Sequence, residues 1–570
     1  MMKNLEIAKI LYNIADILEL QNIEFKPRAY RIAARGIESL SEDIEELYKN
    51  NRLESISGVG KSIAEKIAEY IETGKIKYYQ KLKKIIKIDL EELNKIPSLG
   101  PKKIKILYDV LKIKNVKELE KAVKKNKIQT LHGFGEETEK EILHGIEYIK
   151  KRPQRFIYAH VTPIVNEIIT YFKKFDFVKK IEVAGSFRRG KETVGDLDFL
   201  VVSNKPEKVM QIFTNLPDVK RVLAQGTTKS SIRLNNELQI DLRVVNEKQF
   251  GSALLYFIGN KQHNIEIRKI ALSKGYTLSE YGLFRKKDKK NLASKTEKQI
   301  YKRLGLPYIT PELRENMGEI KAAQEKKIPQ LITSKDIKGV FHNHTTWSDG
   351  SNSIEEMVKA AEELKLKFIS FNDHFGLVKI ANPLNEKRLT NYLKKINQVR
   401  KKTRLDVLSG VEIDILKDGT LPLSRKKLKQ LDVVIAAVHL SINMPEKEMT
   451  KRVCFALENY PINILAHPTD RLINRRPGLK INLDKVFQTA KDNQVFLEIN
   501  SSPIRIDLSA EKVKSALSYG CKIALSTDAH DIDHIKNYKY GVLNARRGWI
   551  EKKNILNSWN MNKIKKALEK

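Results

Sequence analysis

Two stretches of sequence decide the fold of the middle of the chain. The first is Val183-Ala184-Gly185-Ser186-Phe187-Arg188-Arg189-Gly190, and the second, which follows closely, is Gly195-Asp196-Leu197-Asp198-Phe199-Leu200-Val201-Val202. Side chains two residues apart on a strand project from one face, so Asp196 and Asp198 are expected to lie together. Asp241 is expected on a further strand, on the face opposite to its apolar side chains. Alternating apolar residues predict the strands at 180–184, 196–202 and 238–245.

Three convergent carboxylates beside a glycine–serine turn indicate metal-assisted nucleotidyl transfer. Mg²⁺ prefers carboxylate and phosphate oxygens, and two such ions can activate a sugar 3′-hydroxyl and stabilise a leaving pyrophosphate. We therefore expect two Mg²⁺ ions at Asp196, Asp198 and Asp241. A D-x-D pair alone would indicate only an exposed strand edge. Contacts to a triphosphate are expected from Gly185, Ser186, Arg189 and Gly195.

The composition of the chain indicates a polyanionic partner. Its 570 residues leave room for roughly four domains, and the formal net charge is +36. Nucleic acid is the commonest partner of so basic a protein, and a lysine-rich solvated surface is the alternative. Two cysteines exclude a disulfide scaffold and a cysteine-rich zinc module. With no signal peptide pattern and no long apolar stretch, we expect a soluble, cytoplasmic protein without a membrane partner.

Residues 1 to about 150 show helical periodicity, interrupted by short turns. The turns are Ile56-Ser57-Gly58-Val59-Gly60, Ile96-Pro97-Ser98-Leu99-Gly100, which lacks the first glycine, and Leu131-His132-Gly133-Phe134-Gly135. Glycines in a helix–hairpin–helix turn let backbone N–H groups approach a DNA phosphate. One such turn is more often an ordinary connection between helices, but three in a basic chain favour DNA binding without sequence preference. The expected DNA contacts are Gly58, Gly60, Lys61, Gly133 and Gly135.

After residue 336, seven apolar strands each end in polar residues, and helix-length segments separate them. This alternation predicts an α/β barrel or a layered sheet, and barrel enzymes carry their sites at the C-terminal ends of the strands. Imidazole nitrogens suit Zn²⁺ or Mn²⁺, and a carboxylate can bridge two ions. One such histidine would more often be a core residue, but six of them with three acids indicate metal binding. The candidate ligands are His342, His344, Asp349, His374, Glu412, His439, His467, Asp528 and His530.

Residues 1 to about 315 resemble a family X DNA polymerase of the DNA polymerase β type. The resemblance rests on the two quoted stretches, on Ile240-Asp241-Leu242-Arg243, and on Tyr256-Phe257-Ile258-Gly259-Asn260, which is similar to the family's Y-F-T-G-S turn beside the incoming sugar. Ile258 and Asn260 depart from that pattern, at positions that bear on sugar and base discrimination. The resemblance implies deoxynucleoside triphosphate substrates, and contacts to the nucleotide and the template from Tyr256, Phe257, Gly259, Asn264 and Arg268.

The same resemblance implies a second chemistry near the N-terminus. Family members can carry a deoxyribose-phosphate lyase, in which a lysine forms a Schiff base with the open sugar. Lys66 falls on that position, and Tyr30 and Lys26 match members of the 5′-phosphate pocket. Glu54 and Ser62 stand where the eukaryotic relatives hold lysines. The alternative is that Lys66 is a solvated lysine on a helix.

The C-terminal half resembles a PHP domain (polymerase and histidinol phosphatase), whose fold is a distorted seven-stranded barrel with a trinuclear metal site. The resemblance implies three Mn²⁺ or Zn²⁺ ions, and each ligand position is filled here. The implied ligand sets are His342, His344, Glu412 and Asp528 for one ion, Glu412, His439 and His467 for a second, and Asp349, His374 and His530 for the third. Bound metal lowers the pKa of water toward about 7, so phosphoester hydrolysis is expected.

The chain is therefore predicted to be multidomain, with an all-α helix–hairpin–helix region, an α+β nucleotidyltransferase palm with a thumb, and a C-terminal distorted (β/α)₇ barrel. The predicted domains are a lyase-like helical domain at 1–88, a fingers-like helical domain at 89–150, the palm at 151–247, the thumb at 248–315, a polar linker at 316–335 and the PHP domain at 336–570.

The expected activity is template-directed DNA synthesis that fills gaps during base excision or end repair, joined to a metal-dependent 3′–5′ exonuclease. The expected partners are gapped or primer–template DNA and deoxynucleoside triphosphates, and the expected state is a monomer. One alternative is a non-templated nucleotidyltransferase joined to a phosphomonoesterase of the histidinol-phosphatase type. A second is a non-catalytic scaffold for DNA ends.

Overall fold

The computed structural model describes residues 2–38, 44–56, 58–85, 88–94, 96, 99–131, 133–151 and 155–570. Ser57, Pro97, Ser98 and His132, which belong to the predicted turns, lie outside the described residues. Within the described ranges, none of the helices combines the length and apolar character that a membrane crossing requires.

The N-terminal region is helical, as its periodicity predicts. One continuous apolar cluster extends from Ile7 to Ile146, so the two helical domains predicted at 1–88 and 89–150 share a core. Gly58 adopts a φ of +75°, and a Cβ there would lie 2.4 Å from Cγ2 of Ile32, so this turn packs tightly on the second helix. The helices are α1 (Met2–Leu20), α2 (Lys26–Glu38), α3 (Ile44–Lys49), α4 (Lys61–Thr73), α5 (Lys77–Ile85), α6 (Leu90–Leu93), α7 (Pro101–Leu111), α8 (Val116–Val123) and α9 (Glu136–Lys151).

The palm is a five-stranded sheet in the order β2-β4-β7-β6-β5, with helices packed against it. Leu197, Phe199 and Val201 alternate along one face of β4 and join the core beneath the sheet, because successive strand residues face opposite sides. The palm elements are β1 (Phe156–Ile157), α10 (Tyr158–Phe172), β2 (Val178–Val183), α11 (Gly185–Arg188), β3 (Thr193–Val194), β4 (Asp196–Ser203), α12 (Pro206–Thr214), β5 (Val219–Gln225), β6 (Lys229–Leu234) and β7 (Gln239–Val245).

The thumb follows the palm and covers part of its other face. Leu200 and Val202, on the same side of β4 as the aspartates, pack against Phe250 and Ala253 of the first thumb helix. The thumb elements are α13 (Phe250–Ile258), α14 (Lys261–Ser273), β8 (Tyr276–Ser279), β9 (Gly282–Arg285), β10 (Asn291–Ala293), α15 (Glu297–Arg303) and, within the segment predicted as a linker, α16 (Glu319–Gln324).

Residues 316–335 lie between the thumb and the barrel in the chain, and they are packed against both. Glu319 is fully buried and accepts a hydrogen bond from Nδ1 of His263 at 2.7 Å. The backbone N–H of Ile332 donates to the carbonyl of Ile550 in the barrel domain. The segment therefore holds thumb and barrel together instead of separating them.

Seven parallel strands form a closed barrel in chain order, as the alternation after residue 336 predicts. The C-terminal helix packs Ile564 and Leu568 into a cluster with Phe341 and Phe368. The barrel elements are β11 (Gly339–Asn343), α17 (Ile354–Glu363), β12 (Phe368–Phe375), α18 (Glu386–Arg400), β13 (Asp406–Asp414), α19 (Arg425–Leu428), β14 (Val433–Ala437), α20 (Glu446–Asn459), β15 (Ile464–Leu465), α21 (Leu483–Asp492), β16 (Phe496–Asn500), α22 (Ala510–Ser518), β17 (Ile523–Ala529), α23 (Tyr538–Arg547) and α24 (Met561–Leu568).

The palm also lies directly against the barrel. Ile157 of the palm shares an apolar cluster with Ile473 and Ile506 of the barrel domain. The ring of Tyr158 meets that of Tyr540 edge-on, with the centroids 6.2 Å apart. The two domains are thus joined by a packed surface as well as by the connecting segment.

Candidate active sites

The three palm carboxylates converge where β4 and β7 run side by side. Asp198 is directly opposite Asp241 in the parallel register, and Asp196 precedes Asp198 by two residues on the same face. A Cβ at Gly185 would lie 2.4 Å from Oδ2 of Asp198, so the turn can approach the carboxylate only because residue 185 is glycine. The hydroxyl of Ser231 donates to Oδ1 of Asp241 and fixes its orientation.

The electrostatics of this group suit divalent cations. Burial, together with Asp196 and Asp241, raises the pKa of Asp198 to about 7. Burial and Asp241 also raise the pKa of Asp196. Neighbouring carboxylates that destabilise one another's charged forms are the donor set that Mg²⁺ favours, so the residues present fit the predicted ions.

The predicted triphosphate contacts lie around the same turn, but Arg189 is held by the thumb. Its Nε donates to Oε1 of Glu315 at 2.7 Å, and its Nη1 donates to the carbonyl of Ile258. Ser186 lies in α11, and Gly195 directly precedes Asp196. Glu315 was not found by sequence reasoning, since it follows Arg189 by 126 residues and belongs to no motif.

The predicted nucleotide and template contacts lie along α13 and α14. The side chain of Tyr256 is 41% exposed, and its ring meets that of Phe257 edge-on at 5.1 Å. Nδ2 of Asn264 donates to the carbonyl of Tyr256 at 2.7 Å, and Nε of Arg268 donates to the carbonyl of Asn264. Gly259, with a φ of +71°, ends α13. The structure therefore links Tyr256, Asn264 and Arg268 side by side, while Gly259 is buried.

The N-terminal turns present the predicted DNA contacts at the surface. Lys61 begins α4, and the five predicted residues are all exposed: Gly58, Gly60, Lys61, Gly133 and Gly135. Lys66 lies one turn further along α4, where its Nζ donates to the carbonyl and the hydroxyl of Ser62 at 2.8 and 3.0 Å. Its Nζ also lies 5.3 Å from the centre of the Tyr78 ring, which stacks on Tyr30.

The barrel places eight of the nine candidate ligands at or close to the ends of its strands and Asp349 in the loop after β11, and five of the histidines surround Glu412. Each oxygen of this buried carboxylate lies close to histidine nitrogens, at distances from 2.9 to 3.6 Å. The surrounding histidines are His342, His344, His374, His439 and His467. Glu412 is therefore positioned to bridge more than one ion, as the carboxylate of a multinuclear centre does.

Three groups of ligand atoms lie close enough to hold an ion each. They are His344, Asp349, His374 and His530; His342, His344 and Asp528; and His374, Glu412 and His439. These groups differ from the predicted sets in four ways: Glu412 is absent from the first, His467 is absent from the second, His374 also joins the second, and His344 also joins the third. His467 lies beside the second group, with its Nε2 3.0 Å from Oε1 of Glu412.

Several buried nitrogens of this centre have no hydrogen-bond partner within the described residues. They are Nε2 of His342, both ring nitrogens of His344, and Nδ1 of His467. A buried polar atom without a partner costs about 1–3 kcal/mol. A set of such imidazole nitrogens beside carboxylates fits transition-metal ions or zinc, for which these are the preferred ligands.

The ionisation of the centre follows from its crowded charges. Burial favours the neutral form of Glu412, but His342, His439 and His374 lower its pKa well below the ordinary value. Burial opposes the charged form of His439, yet Glu412 and Asp414 raise its pKa to about 10. Burial and the neighbouring imidazoles lower the pKa of His344 to about 3, so the imidazole is neutral and one of its ring nitrogens can bind a metal.

Sequence reasoning missed the residues that orient these ligands. Glu498 accepts a hydrogen bond from Nδ1 of His342 at 2.7 Å, and Asp414 accepts one from Nδ1 of His439 at 2.8 Å. Such partners fix the tautomer and direction of a ligating imidazole. Asp414 follows Glu412 by two residues on β13, and Glu498 is the central residue of β16, so strand periodicity could have indicated both.

Comparison with known proteins agrees with this architecture. Five family descriptions match successive parts of the chain: the helix–hairpin–helix domain at 2–76, the SAM-like helix–hairpin–helix tandem at 90–147, the DNA polymerase beta palm at 157–271, the DNA polymerase beta thumb at 253–315 and the PHP domain at 341–502.

Relatives are found for the whole chain and for its halves. The rat DNA polymerase lambda is 25% identical over 55% of this chain and 56% of its own length. A probable phosphatase of Thermoanaerobacter sp. (strain X514) is 28% identical over 40% of this chain and 93% of its own length. The DNA polymerase/3′-5′ exonuclease PolX of Bacillus subtilis (strain 168) is 37% identical over 99% of both chains. The chain therefore belongs to the family X DNA polymerases that carry a C-terminal PHP domain.

Proposed function

We propose that the chain is a template-directed DNA polymerase that fills short gaps during DNA repair, and that its barrel is a 3′–5′ exonuclease. The observation that carries this proposal is the presence of two complete sites in one chain, a triad of palm carboxylates and a histidine-rich centre around Glu412. The full-length similarity to a DNA polymerase/3′-5′ exonuclease supports the pairing of the two activities.

In the palm, Asp196, Asp198 and Asp241 would hold two Mg²⁺ ions, which would activate the primer 3′-hydroxyl and neutralise the leaving pyrophosphate. Ser186 and the backbone of the turn at Gly185 bind the triphosphate. Arg189, anchored on Glu315, supplies positive charge beside it. Electrostatic groups held in place before the reaction lower its barrier because they need not reorganise during it.

In the barrel, the nine candidate ligands would hold Mn²⁺ or Zn²⁺ ions, which would supply a water-derived nucleophile near neutral pH. Glu498 and Asp414 keep His342 and His439 in the ligating orientation. Hydrolysis of a terminal phosphodiester is the reaction that this arrangement supports.

Primer extension on a one-nucleotide gap, with and without a templating base, tests the polymerase proposal. Incorporation that follows the template supports it. Incorporation that ignores the template favours the non-templated nucleotidyltransferase, and the absence of both incorporation and degradation favours a scaffold for DNA ends.

Gel filtration tests the accompanying proposal that the chain acts as a monomer, and cell fractionation tests its cytoplasmic location.

Binding to gapped DNA is expected to be strongly salt-dependent and nearly indifferent to sequence. The exposed glycine turns and the net charge of +36 favour contacts to phosphates, and each contact releases counterions. For six or more such contacts, affinity should fall by about 10³-fold between about 50 and 200 mM salt. Fluorescence anisotropy with two unrelated gapped duplexes measures both properties, and a flat salt response would contradict this account.

Lys66 is proposed as the nucleophile of a deoxyribose-phosphate lyase. Borohydride trapping on DNA with a 5′-deoxyribose phosphate should cross-link the unsubstituted chain and lose the product in Lys66→Ala, because only the amine can form the Schiff base. Lys77→Ala is the matched control, since that exposed lysine lies in the same helical region. Equal cross-linking in all three proteins would place the activity elsewhere, and none in any of them would leave this region a role in binding DNA ends alone.

A further inference from the structure

A short segment of the palm joins the phosphate-binding turn to the first catalytic aspartate. It runs from Arg189 to Asp196, so any shift of this segment moves both. Part of it, β3, pairs with β1 in a two-stranded sheet that lies apart from the main palm sheet. The main sheet therefore holds only the Asp196 end of the segment, at the start of β4, and the position of the remainder depends on its other contacts.

The middle residue of this segment, Glu192, is bound by two arginines of the barrel domain. Its Oε1 accepts a hydrogen bond from Nη1 of Arg471 at 2.9 Å, and its Oε2 accepts one from Nη1 of Arg547 at 3.2 Å. The side chain of Arg547 is only 4% exposed. Burial alone would raise the pKa of Glu192, but the two arginines lower it, so the carboxylate is charged and firmly paired.

The residues around Glu192 also pack closely against the barrel domain. Gly190 has a φ of +67°, and a Cβ there would lie 2.5 Å from Cγ of Leu543. The ring of Tyr158 stacks on Phe187 of the turn, with centroids 4.4 Å apart, while its other contact is with Tyr540 of the barrel domain. The backbone N–H of Tyr158 donates to the carbonyl of Glu192. Steric, aromatic and charged contacts thus act on one segment.

From these contacts we infer that the barrel domain positions the palm's phosphate-binding turn, and that Glu192 is the positioning residue for nucleotide binding. The inference rests on the proposed polymerase function. Glu192 acts through the turn and through Asp196, and it touches neither nucleotide nor metal. The barrel domain accordingly contributes to the geometry of the polymerase site, and it also carries its own candidate metal centre.

Nucleotide titrations in single-gap filling with the full chain test this role. Glu192→Gln keeps the shape of the side chain but leaves Arg471 and Arg547 without their anion. We expect the KM for the incoming nucleotide to rise about tenfold to a hundredfold, as misplacement of binding groups does, with a smaller change in kcat and unchanged affinity for gapped DNA. Arg547→Lys, which keeps the charge but not the geometry of the pair, should shift KM in the same direction by less.

Glu312→Gln is the matched control. Glu312 accepts a hydrogen bond from Nε of Arg546 at 2.8 Å, so it pairs across to the barrel domain one residue away from Arg547, but it is not attached to the turn. Glu312→Gln should lower the melting temperature, as Glu192→Gln should, but it should leave the KM for the incoming nucleotide unchanged. An unchanged KM in Glu192→Gln, or an equal rise in Glu312→Gln, would overturn the inference. Failure of the unsubstituted chain to incorporate nucleotides would overturn the proposed function itself.

Discussion

Replacement of Asp198 with asparagine is expected to abolish nucleotide incorporation and to leave 3′–5′ degradation largely intact. Asp198 stands opposite Asp241 between neighbouring parallel strands. Burial and the two other carboxylates raise its pKa to about 7, which shows how strongly the site favours added positive charge. Asparagine keeps the side-chain shape but removes the anionic ligand. Because groups that hold a metal act as a unit, incorporation should fall by at least about 10³-fold.

Gap filling with Mg²⁺ measures the first activity of this variant, and shortening of a 5′-labelled single strand with Mn²⁺ measures the second. Asp218→Asn is the control, since Asp218 is an exposed palm aspartate away from the catalytic strands. It should behave as the unsubstituted chain does in both assays. Loss of both activities in a folded Asp198→Asn protein would show that the barrel depends on the palm site.

Replacement of His344 with alanine is expected to have the reverse effect. His344 is fully buried, belongs to two of the three candidate ion groups, and has both ring nitrogens free of hydrogen bonds within the described residues. Its removal takes a buried candidate ligand out of the centre. We expect degradation to fall by at least about 10³-fold while gap filling continues.

His160→Ala provides the comparison, because His160 lies on α10 of the palm and belongs to none of the candidate ion groups. The labelled-strand assay should separate the two variants at any Mn²⁺ concentration that supports degradation. Unchanged degradation in His344→Ala would locate the nuclease outside the barrel centre. Loss of gap filling as well would indicate that an intact barrel centre supports the palm.

Local sequence patterns are sufficient to predict the catalytic parts of this molecule. The palm aspartates follow a period of two, and the barrel ligands follow apolar strands, so their neighbours along the chain indicate their position. The closed barrel and the helical N-terminal region follow from periodicity in the same way. Whether each of these residues performs its proposed role stays a prediction for the variants above.

The contacts between domains could not be predicted in this way. Glu192 and Arg547 are 355 residues apart, and neither stands in a recognisable pattern. Residues 316–335 look like a linker because the segment is polar and carries Pro329, yet Glu319 is buried and pairs with His263. Pairing of distant charges depends on the assembled fold, and single-sequence periodicity carries no information about it.

On the ribosome, the palm emerges long before the residues that hold its turn. Arg547 follows Glu192 by 355 residues, and at about 5–20 residues per second the intervening chain takes roughly 20–70 s to make. Glu192 lacks both of its arginines until Arg471, 279 residues further along the chain, has been made, and it still lacks Arg547 until the end of that interval. Gly190 likewise lacks Leu543 against it until nearly the end. The nascent palm should therefore bind nucleotides weakly until α23 has folded, so that a prematurely released chain would extend DNA poorly at low nucleotide concentration in the absence of its own nuclease.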